Sequence, residues 1–414
     1  MGKSSKTMIL VWLLVLFYYF YQYALRSAPS VMIPQLSDAF SLSAVGIASI
    51  IGMFYYGYSP FALIAGASLD RLGLRRVIPI GAFTVGIGAI LFATGNYTVA
   101  SVGRFLQGAG GAVPIVGAIY IVSKYFPGSK AATLIGSAQM FGMAGGFAGQ
   151  FAVGPMISAG LPWRNFWIVM GIAGFALGII LFFFLPKESW KEKQENFFRS
   201  TLDAFKMVFK NPQSILCGFI AALIFIPTNV WDMVWGPRFI QDGYGMDYGT
   251  AVMRASAVPF GWIIGCPLLG FISDKTGRRK PVIIGGSVVL LLGLTWALFG
   301  RAGVFPPFSI TLMIGIASGA GMIPYTVVKE ANPAHLSGTA TGVCNFITFT
   351  FSALLGPVFG WILLRSSNGA DQFLMKDYQV TFEPLLVGVG LAIFLTLFLK
   401  ETGHAVKKNN NQNK

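Results

Sequence analysis

Gly66-Ala67-Ser68-Leu69-Asp70-Arg71-Leu72-Gly73-Leu74-Arg75-Arg76 lies between two long apolar runs, and the chain carries the pattern twice. The second copy is Gly270-Phe271-Ile272-Ser273-Asp274-Lys275-Thr276-Gly277-Arg278-Arg279-Lys280, again between apolar runs. The two aspartates stand half a chain apart, which is the mark of an internal duplication. In each copy the glycines permit a tight turn on leaving the membrane. The aspartate is placed to meet a helix N-terminus or an arginine at the membrane edge. The Arg/Lys cluster holds the loop on the cytoplasmic side.

Composition agrees. The 414 residues are 55% hydrophobic and 11% charged, against roughly 25% charged in a soluble domain. The net charge of +15 does not point to nucleic acid, because Lys and Arg fall in short loops between apolar runs. Cys217, Cys266 and Cys344 all lie inside such runs and are expected as free thiols. The first apolar run is too long for a signal-peptide core and is read as a retained span.

Spans of about 20 apolar residues are read at 8–33, 43–69, 77–95, 99–124, 131–157, 165–185, 213–241, 249–273, 281–300, 306–328, 337–364 and 379–399. With both termini cytoplasmic, the outer segments hold only Arg164, Arg238, Arg254, Arg301, Arg365 and Lys376 as basic residues, which fixes the orientation. The expected fold is all-α and integral to the membrane: twelve transmembrane helices in two pseudo-symmetric six-helix bundles. The bundles are 1–185 and 213–400. A cytoplasmic linker spans 186–212, and a disordered cytoplasmic tail spans 401–414. In the linker, Phe197, Phe198, Leu202, Phe205, Val208 and Phe209 fit either an amphipathic surface helix or a solvated connector. Asn96-Tyr97-Thr98 matches a glycosylation sequon by chance, in a loop too close to lipid to be used.

The repeated stretch resembles the signature loop between helices two and three of the major facilitator superfamily, with its echo between helices eight and nine. The resemblance covers the whole chain. It implies gating loops built from Gly66, Asp70, Arg71, Gly73, Arg75 and Arg76, and from Asp274, Lys275, Gly277, Arg278 and Arg279. Arg104-Phe105-Leu106-Gln107-Gly108-Ala109-Gly110-Gly111 is similar to the superfamily's second motif, with Arg104, Gln107, Gly108 and Gly110 at its matching positions. Arg104 must face protein or water. It serves either as an anchor bonded to backbone carbonyls of the first spans or in proton coupling, and the anchor is favoured. Gly142, Gly145, Gly146, Gly149 and Gly154 make a small-residue packing face on span five.

Arg26 stands deep in span one, within Tyr18-Tyr19-Phe20-Tyr21-Gln22-Tyr23-Ala24-Leu25-Arg26. A guanidinium there suits a carboxylate or phosphate, with Gln22 and Tyr23 as polar neighbours; a fixed ion pair is the alternative. Span seven is the repeat partner of span one and holds Asn229, Trp231 and Asp232 at similar depth. Asp232 could bind a cation on the substrate, carry a proton or pair with Arg26. Tyr56, Gln139 and Asn345 complete the expected cavity, with Tyr55, Tyr58, Tyr120, Trp262 and Tyr325 as further polar or aromatic groups at membrane depth.

These residues give the expected function. It is a secondary transporter of a small polar organic solute (an amino acid, small peptide or organic anion) working by alternating access, with a proton as the coupling ion. The first-span pattern and Lys124-Tyr125-Phe126-Pro127-Gly128 are similar to the organophosphate and organic-anion exchangers of the superfamily. The dipeptide and amino-acid carriers are a weaker resemblance. An Arg–Asp pair favours a zwitterion over a phosphate-ester or carboxylate anion, and a non-transporting receptor or sensor is the reading from another class. No catalytic, cofactor or metal signature is read, and no enzyme is expected. The expected partners are the substrate, a proton and the bilayer, with no nucleic acid. The expected state is a monomer in a bacterial inner membrane.

Overall fold

A computed structural model describes residues 5–42, 44–187, 197–300, 308–367 and 373–405. Arg301, residues 188–196 of the linker and the tail beyond 405 lie outside the described residues. Everything described is helix, turn or connector, and the twelve spans follow the sequence boundaries to within a few residues. Eleven helices among the described residues are long and apolar enough to cross a membrane: Thr7–Val31, Ser49–Leu72, Leu74–Phe92, Tyr97–Tyr125, Trp163–Phe184, Pro212–Tyr244, Gly249–Thr276, Lys280–Phe299, Ser309–Glu330, Ala334–Ser366 and Met375–Thr396. The remaining span, fifth in order, is the helix Ala131–Phe151. Its glycines and two glutamines lower its apolarity, and the same glycines bring it against span one. A Cβ on Gly142 would strike the Tyr19 ring, and one on Gly145 would strike the Phe20 backbone.

Four spans combine an interrupted backbone with high burial. Span 1 ends in a 3-10 turn, Ala28–Val31, at Pro29. Span 4 changes direction between Tyr97–Gly111 and Val113–Tyr125, where Pro114 enters. Span 7 unwinds into a π-helical segment, Pro227–Trp235. Span 10 tightens to a 3-10 turn over Gly319–Met322 before Pro324. Irregular backbone at membrane depth survives only where protein covers it. Spans 4, 7 and 10 are 89%, 83% and 83% buried and span 1 is 67% buried, against 33–56% for the other seven of these helices. The four most buried of these helices are thus all interrupted, although interruption is not confined to them: span 8 also breaks at Ser256, between Tyr248–Ala255 and Ala257–Thr276.

The halves meet along two crossings. Gly66 of span 2 packs on Gly338 and Gly342 of span 11, and Gly270 of span 8 packs on Ala132 and Thr133 of span 5. One element was not anticipated. Residues Ile33–Phe40 form a short helix after span 1. The linker contains the helix Phe197–Lys210, which buries Ala204 and Val208 and leaves Leu202 and Phe209 exposed. Asn96 acts as a helix cap: its side chain accepts a hydrogen bond from the Val99 N–H at 3.1 Å. Cys217, Cys266 and Cys344 are free and buried.

Candidate functional site

Arg26 occupies the last turn of the span 1 helix and is 5% exposed. Its Nη2 donates to Asn229 Oδ1 at 2.7 Å and to the Tyr55 hydroxyl at 3.0 Å. Four rings surround the guanidinium carbon: Tyr23 at 4.7 Å, Tyr55 at 4.9 Å, Phe349 at 5.1 Å and Phe54 at 5.6 Å. Nε and Nη1 are buried and have no hydrogen-bond partner. A buried cation boxed by aromatic faces with unused donors is an incomplete anion receptor. Gln22, one helical turn earlier, is 1% exposed, and neither its amide nitrogen nor its oxygen is partnered. Asn229 donates onward to Ser352 Oγ at 3.1 Å, so one amide ties span 1 to spans 7 and 11.

Two further amides are each held between tyrosines. Gln139 of span 5 accepts from the Tyr19 hydroxyl at 2.7 Å and donates to the Tyr23 hydroxyl at 3.1 Å. Asn345 of span 11 accepts from the Tyr325 hydroxyl at 2.8 Å and donates to the Tyr58 hydroxyl at 3.2 Å. Both amides stand eight residues into their helices, so the duplication carries them to matching positions. The Gln139 pair closes within one half, whereas the Asn345–Tyr58 bond joins the two halves.

Two expected site residues are placed elsewhere. Tyr56 is 43% exposed, while Tyr55 and Tyr58 are 9% and 0% exposed. Residues 55 and 58 share a helix face three positions apart, and residue 56 lies off that face. The second correction is Asp232. It is 3% exposed, makes no ion pair with Arg26, and leaves Oδ1 without a hydrogen-bond partner. Asp232 Oδ1 and the Ala255 methyl instead lie together against Gly236. A π-helical turn closes over five residues rather than four, so Asn229 and Asp232, three apart, do not share a face. Trp231 is buried against Phe239, with ring centroids 5.5 Å apart.

At the basic end both repeated loops act as clasps. Asp70 accepts from the Gly338 N–H at 2.9 Å and from the Thr339 N–H and hydroxyl, each at 2.7 Å. Asp274 accepts from the Ala132 N–H at 3.4 Å and from the Thr133 N–H and hydroxyl, each at 2.8 Å. Gly73 and Gly277 close the turns at φ of 75° and 63°, where a side chain would be strained. Arg75 lies over the Phe182 ring at 4.9 Å and Lys275 over Phe271 at 5.9 Å. The backbone oxygen of Arg278 accepts from Ser273 Oγ at 3.1 Å.

The Major Facilitator Superfamily profile matches residues 15–357. The chain belongs to this superfamily. It is 25% identical over 389 residues to the hexuronate transporter of Bacillus subtilis, covering 87% of this chain and 89% of that one. A probable galactarate/D-glucarate transporter of the same organism is 24% identical, with 89% of each chain covered. A solved proton:xylose symporter of the superfamily has the same fold, with a TM-score of 0.75 at 15% identity over 97% of this chain and 98% of that one. The protein is thus a multi-pass membrane protein of a family of small-solute transporters.

The superfamily's helix-four motif sits beside the site. Arg104 is fully buried and donates to the carbonyls of Leu25 at 3.1 Å, Arg26 at 3.4 Å and Ile51 at 3.5 Å, and to Gln107 Oε1 at 2.7 Å. Gln107 donates to the Gly88 carbonyl at 3.0 Å, and Gly108 and Gly110 let span 4 touch the backbones of spans 2 and 3. Span 1 is thereby fixed at Arg26, the residue whose Nε and Nη1 are unpartnered.

Sequence reading missed the clasp partners Thr133, Thr339, Glu330 and Glu401. Arg279 is 1% exposed, pairs with Asp274 at 2.7 Å and Glu330 at 2.8 Å, and its backbone N–H donates to Glu401 at 2.6 Å. Burial alone would lower the Arg279 pKa, but the hydrogen bonds and charges of Glu330 and Asp274 outweigh it and raise it. Thr133 and Thr339 each stand two residues after the start of their helix, a match that aligning spans 5 and 11 would have exposed. No such signal marks Glu330 or Glu401.

Proposed function

We propose that this protein carries a small carboxylate anion of the sugar-acid type across the membrane by alternating access, with the carboxylate held by Arg26. The observation that carries this reading is the Arg26 guanidinium, buried among aromatic rings with Nε and Nη1 unused. A zwitterion would need a counter-charge opposite Arg26, and the group found there is the neutral amide of Asn229. An anion needs only the cation. The names of the two relatives, hexuronate and galactarate/D-glucarate transporters, support the same class. Gln22, with its amide unpartnered one turn away, is suited to a substrate hydroxyl.

In this reading the two bundles, 1–185 and 213–400, rock about the site. The Asp70 and Asp274 clasps close one side, and the 186–212 segment links the halves. The transporter is a monomer in a bacterial inner membrane with cytoplasmic termini, is driven by a proton gradient, and performs no chemical conversion. Uptake of radiolabelled D-glucuronate into proteoliposomes tests the reading. Accumulation by wild type and loss in Arg26→Gln support it. No uptake of D-glucuronate, D-glucarate or D-galacturonate by folded wild type sinks it.

A further inference from the structure

We propose that Asp232 is the proton-binding site of coupled transport, separate from the anion site and linked to it through the π-helical segment of span 7. The inference deepens the reading of Arg26 as the anion site and rests on it for its transport consequences.

The segment Pro227–Trp235 presents two polar groups to different sides. Asn229 faces Arg26 and Ser352. Asp232 faces Gly236 and Ala255, the side on which Thr228 accepts a hydrogen bond from Trp262 Nε1 of span 8 at 2.9 Å. A carboxylate enclosed without a counter-charge and with an empty oxygen is costly. The same group binding a proton removes that cost, so closure of the site around Asp232 and proton uptake favour each other. Gly236 matters here, because a Cβ at that position would stand 3.0 Å from Asp232 Oδ1. The glycine keeps the space beside the carboxyl open.

The charged groups on the packed elements are engaged elsewhere. Arg26 is turned onto Asn229. Arg238 pairs with Asp242 at 3.3 Å. Arg365 lies over Trp361. Asp274 and Lys275 stand at the far end of span 8. Arg254 stands next to Ala255 in the first helix of span 8 and has a partner of its own. Cys217, Cys266 and Cys344 are buried thiols on spans 7, 8 and 11, and the Tyr244 hydroxyl is bonded to the Ala297 carbonyl at 2.6 Å.

Coupling follows from register. A π-helical turn holds one residue more than an α-helical turn and marks functional sites. A substrate carboxylate that takes Arg26 competes with Asn229 for Nη2 and frees that amide. The segment can then settle into a different register, which moves Asp232 relative to span 8 and changes its access to water. The proton enters from the side that the anion entered and leaves with it. One bound proton also cancels the charge of a monoanion, so the loaded carrier crosses without added charge.

Two measurements test this, and the first needs no substrate. An infrared pH-difference spectrum of the purified protein should show a buried carboxyl C=O band that titrates. Asp232→Asn should lack the band and Asp232→Glu should shift it. Identical spectra for wild type and Asp232→Asn overturn the proposal. The second uses D-glucuronate in proteoliposomes. Asp232→Asn should exchange internal for external D-glucuronate but lose accumulation driven by an inward proton gradient, and Asp232→Glu should restore part of it. Gradient-driven accumulation at the wild-type level in Asp232→Asn overturns the proposal. If wild type takes up no D-glucuronate, the anion reading fails, and the infrared result still decides whether Asp232 binds the proton.

Discussion

Asp70 and Asp274 make the same three hydrogen bonds, each to a helix of the opposite half. Each accepts two backbone N–H groups and one threonine hydroxyl at the start of a span, Gly338-Thr339 for Asp70 and Ala132-Thr133 for Asp274. The first N–H groups of a helix lack intrahelical partners and carry the positive end of its dipole. A carboxylate placed there satisfies both. The clasps thus use backbone geometry that every helix start offers, and duplication supplied it twice.

Asp70→Asn keeps the size and loses the charge of the clasp. Hydrogen bonds to a charged acceptor contribute about 1.5–3 kcal/mol, so the substitution shifts the closed–open balance roughly tenfold or more. Uptake into proteoliposomes should fall by about that factor, while the yield of folded protein stays near wild type because the site is at the membrane edge. Asp274→Asn should slow uptake likewise, but because Asp274 also pairs with the buried Arg279 at 2.7 Å it should lower the apparent Tm as well. Wild-type uptake in both variants would remove the clasps from the transport cycle.

Glu330→Ala strands Arg279, whose guanidinium is 1% exposed. Removing one partner of a buried pair costs about 3–5 kcal/mol, less whatever Asp274 retains. The apparent Tm in detergent should drop, and Glu330→Ala/Arg279→Leu should recover much of it. The sign of any pH effect is fixed. Arg279 is held above its ordinary value, so its contribution is fully present below that value and is lost only as pH rises beyond it. Stability between pH 6 and 9 should therefore not vary through this group.

Most of the fold could be read before the structure. Apolar run lengths, the placement of basic residues and the doubled loop are each local features of sequence, and they fixed spans and bundles. The site was half legible. Arg26, Gln22, Tyr23, Gln139, Asn229 and Asn345 are all buried, because a polar residue within an apolar run has to face protein. The faces within each run were not legible. Choosing Tyr56 over Tyr55 needed the helix rotation. Setting Asp232 opposite Arg26 assumed an α-helical span 7, and the π-helical segment after Pro227 breaks that assumption. Glu330 and Glu401 lie near span ends, where charge is ordinary, so nothing in the sequence marked them as partners of Arg279.

Arg26→Lys preserves charge and removes the planar fork. Binding of D-glucuronate, read by thermal shift or equilibrium dialysis, should weaken by about 1–3 kcal/mol, or roughly fivefold to more than a hundredfold. An unchanged affinity would make Arg26 a structural residue.

Asn229→Asp places a carboxylate 2.7 Å from the Arg26 guanidinium, at the position of the present amide oxygen. That carboxylate is an internal competitor for the substrate. Anion binding should be lost while the apparent Tm holds or rises, since a charged acceptor strengthens the bond between spans 1 and 7. Retained D-glucuronate affinity would show that the substrate does not contend with Asn229 for Nη2.

Tyr55 and Tyr56 are neighbours in sequence and should separate cleanly in function. Tyr55 accepts from Arg26 Nη2 at 3.0 Å, and its ring lies 4.9 Å from the guanidinium carbon. Tyr55→Phe deletes the acceptor and keeps the ring, leaving one more donor of a buried cation unfilled. That loss costs about 1–3 kcal/mol in the empty carrier, and a substrate oxygen that fills the vacancy recovers it. Tyr55→Phe should therefore lower stability without substrate and respond more strongly than wild type to added D-glucuronate. Tyr55→Ala removes the ring as well, exposes the guanidinium to water and should weaken binding. Tyr56→Phe and Tyr56→Ala change only a surface that is 43% exposed, and should leave both stability and binding within about 0.5 kcal/mol of wild type. If Tyr56→Ala weakens binding and Tyr55→Ala does not, span 2 is rotated relative to the arrangement described, and the aromatic box around Arg26 is wrong.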